Sequence, residues 1–194
     1  TLVSQPLHKL FHFANRNSKS GSARNITAHY DLGNDLYRLM HDETMAYSCA
    51  IFTAPAMSLH DAQIAKFAAT CRKLDLRPED ELLEIGTGWG GLAVYAAENY
   101  GCRVTTTTIS QQQYDYAREL VASRGLADRV TFLLQDYRDL GGRVDKLVSI
   151  EMIEAVGEAH WPDYFRVLSE RLAPGGIGVI QAITIPEQHF AAYR

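Results

Sequence analysis

The sequence predicts a doubly wound α/β fold, a mostly parallel sheet covered by helices on both faces, with a helical N-terminal cap. Three observations carry that prediction. From Pro78 onward, apolar runs of strand length alternate with runs of helix length. A glycine-rich turn, "GTGWGG", joins the first of these strands to the helix after it. And 194 residues, 46% of them hydrophobic, suffice to bury one sizeable core.

Residues 1–26 stand apart from the rest. "KLFHFANRN" suits a short helix, whereas "RNSKSGSARN" has the composition of a flexible basic linker, either a solvated loop or a segment that grazes an anionic surface. Residues 27–194 make up the main domain. The pattern over 25–40 is helical. Ser58 then opens a second helix: Asp61 holds the acidic position of a capping box, and Leu59, Ile64, Phe67, Ala68, Cys71 and Leu74 recur at helical intervals. "RPED" ends it. Strands are expected over 81–85, 103–109, 130–135, 146–150 and 177–183. Helices are expected over 92–100, 111–124 and about 160–172, the last followed by an "APGG" turn. Such alternation implies parallel strands buried on both faces. The chain ends soon after its last strand, so a C-terminal continuation of the domain is expected.

Composition excludes several classes. A net charge of −4 leaves no basic excess to neutralise phosphates, which argues against nucleic acid as a partner. Cys49, Cys71 and Cys102 are odd in number and lack CxxC spacing, so reduced thiols are expected rather than a disulfide framework or a metal site. No apolar stretch approaches the roughly 18 residues of a membrane span, and no signal-peptide pattern opens the sequence.

The chemistry concentrates in two places. In "LLEIGTGWGG", Gly86, Gly88 and Gly90 follow a strand and precede a helix, where glycine lets a ligand approach the backbone. The spacing is not the dinucleotide fingerprint, and no GK[ST] follows, so a phosphate loop is excluded; a purely structural turn stays open. Glu84, just before the first glycine, suits a ligand bearing an ammonium and a sulfonium and would repel a pyrophosphate. The second strand ends in "TTTTISQQQ", without an acid for ribose hydroxyls. Thr108, Ser110 and Gln113 offer neutral hydrogen bonds there, and Ser110 suits equally a helix N-cap. The second place is "SIEMIEAVG". Glu151 and Glu154 end an apolar strand, and none of the ten residues after Glu154 is Lys or Arg.

Taken together, "HYDLGNDLYRLMHDETMAYSCAIF", the glycine turn, "TISQQQ", "LLQDYRDL" and "VSIEMIEAVG" resemble the cyclopropane-fatty-acyl-phospholipid synthase family, which includes the mycolic acid cyclopropane synthases. The resemblance runs from His29 to the end of the chain. It implies a Rossmann-like methyltransferase fold with S-adenosylmethionine as cofactor, contacted by Tyr47, Ser48, Glu84, Gly86, Thr87, Gly88, Gly90, Thr108, Ile109, Ser110, Gln113, Asp136 and Tyr137. The implied reaction adds one carbon to the cis double bond of an unsaturated phospholipid acyl chain and closes a cyclopropane. The family's base is a bicarbonate ion. By likeness it would be held by the main chains of Cys49 and Ile183, the Glu154 side chain, a tyrosine beyond Arg194, and Gln181 where the family has histidine.

Gln181 cannot carry a positive charge. That keeps two alternatives open: a lipid C-methyltransferase giving methyl- or methylene-branched chains, and a non-catalytic protein that binds cofactor or lipid. Ala155 stands where relatives often have histidine. Glu151 stands where relatives have glycine, and the likeness gives it no role. Tyr30, Tyr47 and Tyr137 are candidates to face developing positive charge through their rings. The likeness also implies a cytoplasmic protein working at the inner face of a membrane, and it leaves a homodimer open.

Overall fold

The computed structural model describes residues 34–190. The segment 1–26, Tyr30 and the start of the first helical pattern lie outside them. Five strands, β1 (Glu81–Ile85), β2 (Arg103–Thr108), β3 (Val130–Leu134), β4 (Val144–Ile150) and β5 (Leu172–Gln181), pair in parallel in the order β3-β2-β1-β4-β5. The helices are α1 (Asn34–Met40), α2 (Leu59–Lys73), α3 (Gly91–Tyr100), α4 (Gln111–Ser123), α5 (Trp161–Arg171) and a single turn α6 (Glu187–Phe190). The expected doubly wound sheet is therefore present, and strand order reverses at β1, between β4 and β2.

Successive residues of a strand face opposite sides, and β1 shows what that does to the core. Leu82 packs with Phe67 and Cys71 of α2, Leu74 at its C-cap, Leu92 of α3 and Val121 of α4. Its neighbour Leu83 joins Leu147 of β4 and Tyr164 and Leu168 of α5 on the other side. Leu82 and Leu147 are each 1% exposed, and burial of such a side chain contributes about 1.5–3 kcal/mol. Cys71 and Cys102 are free and buried, with thiol pKa values pushed by burial up to about 12 and about 11, so both are packing residues.

The helix caps follow the sequence. Ser58 Oγ accepts from the Asp61 N–H at 3.1 Å and donates to the Asp61 carboxylate at 2.7 Å. Ser110 Oγ accepts from the Gln113 N–H and so caps α4.

Two details differ from expectation. The buried face of α2 takes in Gln63, Lys66 and Thr70, while Leu59 lies 39% exposed; for Gln63 and Lys66 a neighbouring loop supplies partners, described below. In β5, pairing begins at Leu172 and ends at Gln181 instead of spanning 177–183. Val144 pairs with Leu172 and Lys146 with Ile177, so the "APGG" residues bulge out of the ladder.

Gly91 opens α3 where a Cβ would stand 2.7 Å from the Thr44 carbonyl oxygen and 3.2 Å from the Phe67 ring. The loop before α2 can lie on the sheet end only because nothing projects there. Gly91→Ala is expected to lower stability by about 1–3 kcal/mol, read as a lower denaturation midpoint with an unchanged slope.

Candidate active site

A cavity of about 1140 Å³ opens at the carboxyl ends of the strands, where the strand order reverses and such sheets hold ligands. Its floor is the glycine turn. The Gly86 and Thr87 N–H groups both donate to the Thr107 carbonyl, at 3.1 and 3.0 Å, which ties the turn to β2. Gly86 at φ +97° and Gly88 at φ +52° hold conformations open to glycine. A Cβ on Gly88 would meet nothing within 4 Å, so the turn presents bare backbone to the cavity.

Glu84 is 5% exposed at the end of β1 and lines this cavity. Its Oε2 accepts from Thr106 Oγ1 at 2.6 Å, and Thr106 in turn shares a 2.7 Å hydrogen bond with Thr87. Burial pushes its pKa up to about 8 against the opposing pull of that hydrogen bond and of Lys66. No ion pair within 4 Å among the described residues involves Glu84. A buried acid facing a glycine cradle fits the cationic methionine end of S-adenosylmethionine.

The other expected cofactor residues line the cavity as well: Tyr47, Ser48, Thr108, Ile109, Gln113, Asp136 and Tyr137. Thr108 Oγ1 donates to Gln113 Oε1 at 2.8 Å and accepts from the Ser110 N–H. Ser110 is not among the lining residues; its structural role as a cap is the one the geometry shows. Asp136 is tied to Arg138 through both oxygens, at 2.8 and 2.6 Å. Tyr137 packs edge-on against Tyr164.

Lys66 went unnoticed in the sequence, hidden in a helix that reads as an apolar face. It is 1% exposed, and its Nζ donates to Ser48 Oγ at 2.6 Å. Gln63, one helical turn back, donates to the Ala46 and Ser48 carbonyls. Together they pin the Tyr47–Cys49 loop to α2. Burial lowers the Lys66 pKa to about 8, opposed by the charges of Glu151, Cys49, Asp42 and Glu84. A cation therefore does act on Glu151, but it comes from another element. Trp89 and His41 were also missed; both line the cavity, His41 stacking on Tyr37 and Trp89 packing against it at a tilt of 47°.

At the acidic end the structure brings Cys49, Glu151, Glu154, Gln181 and Ile183 together. Glu151 Oε1 accepts from the Cys49 N–H at 2.9 Å and from Gln181 Nε2 at 2.8 Å. Glu154 Oε1 accepts from the Ile183 N–H at 2.6 Å. Gln181 also reaches the Cys49 carbonyl at 3.3 Å. The bicarbonate expectation finds no support here. The donors assigned to the ion already end on side-chain carboxylates, so these residues do not fit a separate anion, which would meet like charge instead of free N–H groups. Glu151 adopts φ +47°, a conformation that suits glycine. Among the described residues no group of three or more His, Cys, Asp or Glu side chains has the arrangement of a metal site.

A parallel sheet with a glycine turn and a buried acid at the end of β1 defines the Rossmann-like methyltransferase class. The chain belongs to the mycolic acid cyclopropane synthetase family, whose model matches residues 17–194. It is 44% identical over 184 residues to the tuberculostearic acid methyltransferase UfaA1 of Mycobacterium tuberculosis, covering 91% of this chain and 43% of that protein. It is 47% identical over 155 residues to the cyclopropane-fatty-acyl-phospholipid synthase of Escherichia coli, covering 80% and 39%. The chain thus spans less than half the length of these relatives. Among solved structures, the cyclopropane synthase MmaA2 from Mycobacterium tuberculosis superposes with a TM-score of 0.82 at 32% identity, over 88% of this chain and 60% of that one. The mycolic acid cyclopropane synthase CmaA1 complexed with SAH and CTAB gives 0.78 at 35%, over 81% and 55%.

The raised Glu84 pKa has a definite sign. Between its ordinary value of 4.5 and about 8, the folded ligand-free protein keeps a proton that the unfolded chain has lost. The stability this group contributes is full below 4.5 and is lost as pH rises through about 8. Glu84→Gln is expected to flatten that fall in thermal unfolding. By calorimetry it is expected to weaken S-adenosylmethionine binding by about 10- to 100-fold, because the charged acceptor is gone.

Proposed function

We propose that the protein transfers one carbon from S-adenosylmethionine to the cis double bond of an unsaturated phospholipid acyl chain and closes a cyclopropane. The observation that carries this is a single cavity with two chemically different ends. The glycine turn and Glu84 line one end, while Glu151 and Glu154 line the other. S-adenosylmethionine supplies an electrophilic methyl. The chain's residues do the rest by position. Glu84 and the bare backbone of Gly86 and Gly88 orient the cofactor, and Tyr47 on the cavity wall meets the positive charge that forms when an alkene takes up a methyl cation, whereas the Tyr137 ring has the Arg138 guanidinium over it at 5.7 Å.

The mouth of the cavity supports a lipid substrate. Phe52 and Ile183 line it and are 57% and 64% exposed, as large apolar groups are where an acyl chain must enter. No helix among the described residues is long and apolar enough to cross a membrane. By the family likeness, the chain is read as meeting the bilayer peripherally, from the cytoplasm. The main domain is read as residues 27–194.

The similarity to UfaA1, called a methyltransferase, favours a second reading: methylation without ring closure. S-adenosylmethionine with a fully deuterated methyl separates the two. Full-length protein acting on vesicles of monounsaturated phospholipid is expected to give acyl chains that have lost one deuterium of the transferred group, by mass spectrometry, with cyclopropane protons in the NMR spectrum of the unlabelled product. Retention of every deuterium would establish the methyltransferase instead. Cofactor binding with no labelled lipid would favour a binding role.

A further inference from the structure

We infer that Glu151 occupies the seat of the anion and is itself the base that removes the proton from the transferred methyl, so that the reaction needs no bicarbonate. The inference rests on the lipid reading above. Three observations lead to it. First, the Cys49 N–H and the Gln181 amide both donate to one atom, Glu151 Oε1, at 2.9 and 2.8 Å. A carboxylate oxygen held by two donors is what an oxyanion in that place would be. Second, Glu151 lines the same cavity as the glycine turn and Glu84, so its carboxylate has access to the reacting carbons. Third, its backbone is held at φ +47°, a conformation a glutamate rarely takes, and the Glu151 N–H is fixed to the Gln181 carbonyl at 2.8 Å. Backbone strain retained at one residue of a site has a reason in what its side chain does there.

Gln181 fits this arrangement. A cationic histidine beside a free anion compensates the ion's charge. Beside a covalently attached carboxylate a neutral amide donor holds the oxygen without a proton of its own that must be placed. The Lys66 cation lies behind the loop and offsets part of the carboxylate charge. Glu154 stands apart from this pair of donors: its Oε1 takes the Ile183 N–H and ties down the chain just past β5.

The step balances without any other reactant. After methyl transfer the lipid carries a carbocation. A C–H bond of the new methyl breaks, its proton goes to a Glu151 oxygen, and its electron pair forms the second carbon–carbon bond of the ring. The carboxylic acid then returns its proton to water. The bond geometry leaves lone pairs for this, since two donors do not exhaust the acceptor capacity of a carboxylate.

The test compares full-length wild type, Glu151→Gly and Glu151→Gln in buffer scrubbed of carbon dioxide, with and without added 13C-bicarbonate. Ion binding is read by NMR line broadening and turnover on monounsaturated phospholipid vesicles. Folding is checked by S-adenosylmethionine binding, which all three are expected to retain, glycine being at home at positive φ. Wild type is expected not to bind the ion and to turn over equally in both buffers. Glu151→Gly is expected to bind bicarbonate, to lose about 100-fold in turnover without it and to recover with it. Glu151→Gln, whose amide fills the seat but accepts no proton, is expected to stay inactive in both. Bicarbonate binding by wild type, or turnover that rises with the ion, overturns the inference. So does a Glu151→Gly protein that is active without the ion. Expected ion binding with no lipid product from any form would overturn the lipid reading and the base role while leaving Glu151 in the anion's seat.

Discussion

The parallel pairing of β1 with β4 is the constraint on which the site depends. Glu84 stands opposite Val148 in that register, and Ser149 Oγ donates to the Ile85 carbonyl at 3.1 Å just beyond it. The two strands therefore end at one level, and the chain must leave each of them sideways. One exit is the glycine turn and the other is Glu151 to Glu154. Cofactor end and acidic end face each other because two neighbouring strands stop together. Slipping the register by one residue would turn Glu84 toward the opposite face of the sheet.

Burying charge at such a place requires neutralising partners nearby, and the structure supplies them from outside the sheet. Lys66, Gln63 and the loop they hold are a polar layer laid over the strand ends by α2. Lys66 Nζ and Gln63 Nε2 are held by hydrogen bonds at the point of burial, which offsets part of the cost of taking them out of water, while Gln63 Oε1 finds no partner among the described residues. Ser48 is the hinge of this layer. It receives Lys66 on its hydroxyl and Gln63 on its carbonyl, so Tyr47 and Cys49 on either side of it are fixed by contacts neither of them makes.

Most of the fold was legible in sequence because its signals are local. Strand-length runs, a capping box at Ser58 and Asp61, and glycines in an ordered turn each act within a few residues. What was not legible depends on other elements. Lys66 reads as the polar face of an amphipathic helix until a loop 18 residues upstream is laid against it. The start of β5 was hidden because a proline and two glycines look like a turn, whereas pairing to β4 resumes on both sides of them. Glu154 and Ile183 do meet, through the Ile183 N–H and Glu154 Oε1. Glu151, for which the sequence offers no local reason, proves to be the acceptor at the centre of that end.

The bonds that shape the acidic end also join distant parts of the chain. Cys49 lies 102 residues from Glu151 and 132 from Gln181. Contacts of such long range close only after the intervening chain is ordered, because their loop entropy has to be offset by structure already formed. The strands must pair and α2 must dock before the Tyr47–Cys49 loop finds its carboxylate. The reactive end is thus held by bonds that exist only where the strands are paired and α2 is docked, so a lesion far from it in the sequence reaches it as directly as one beside it.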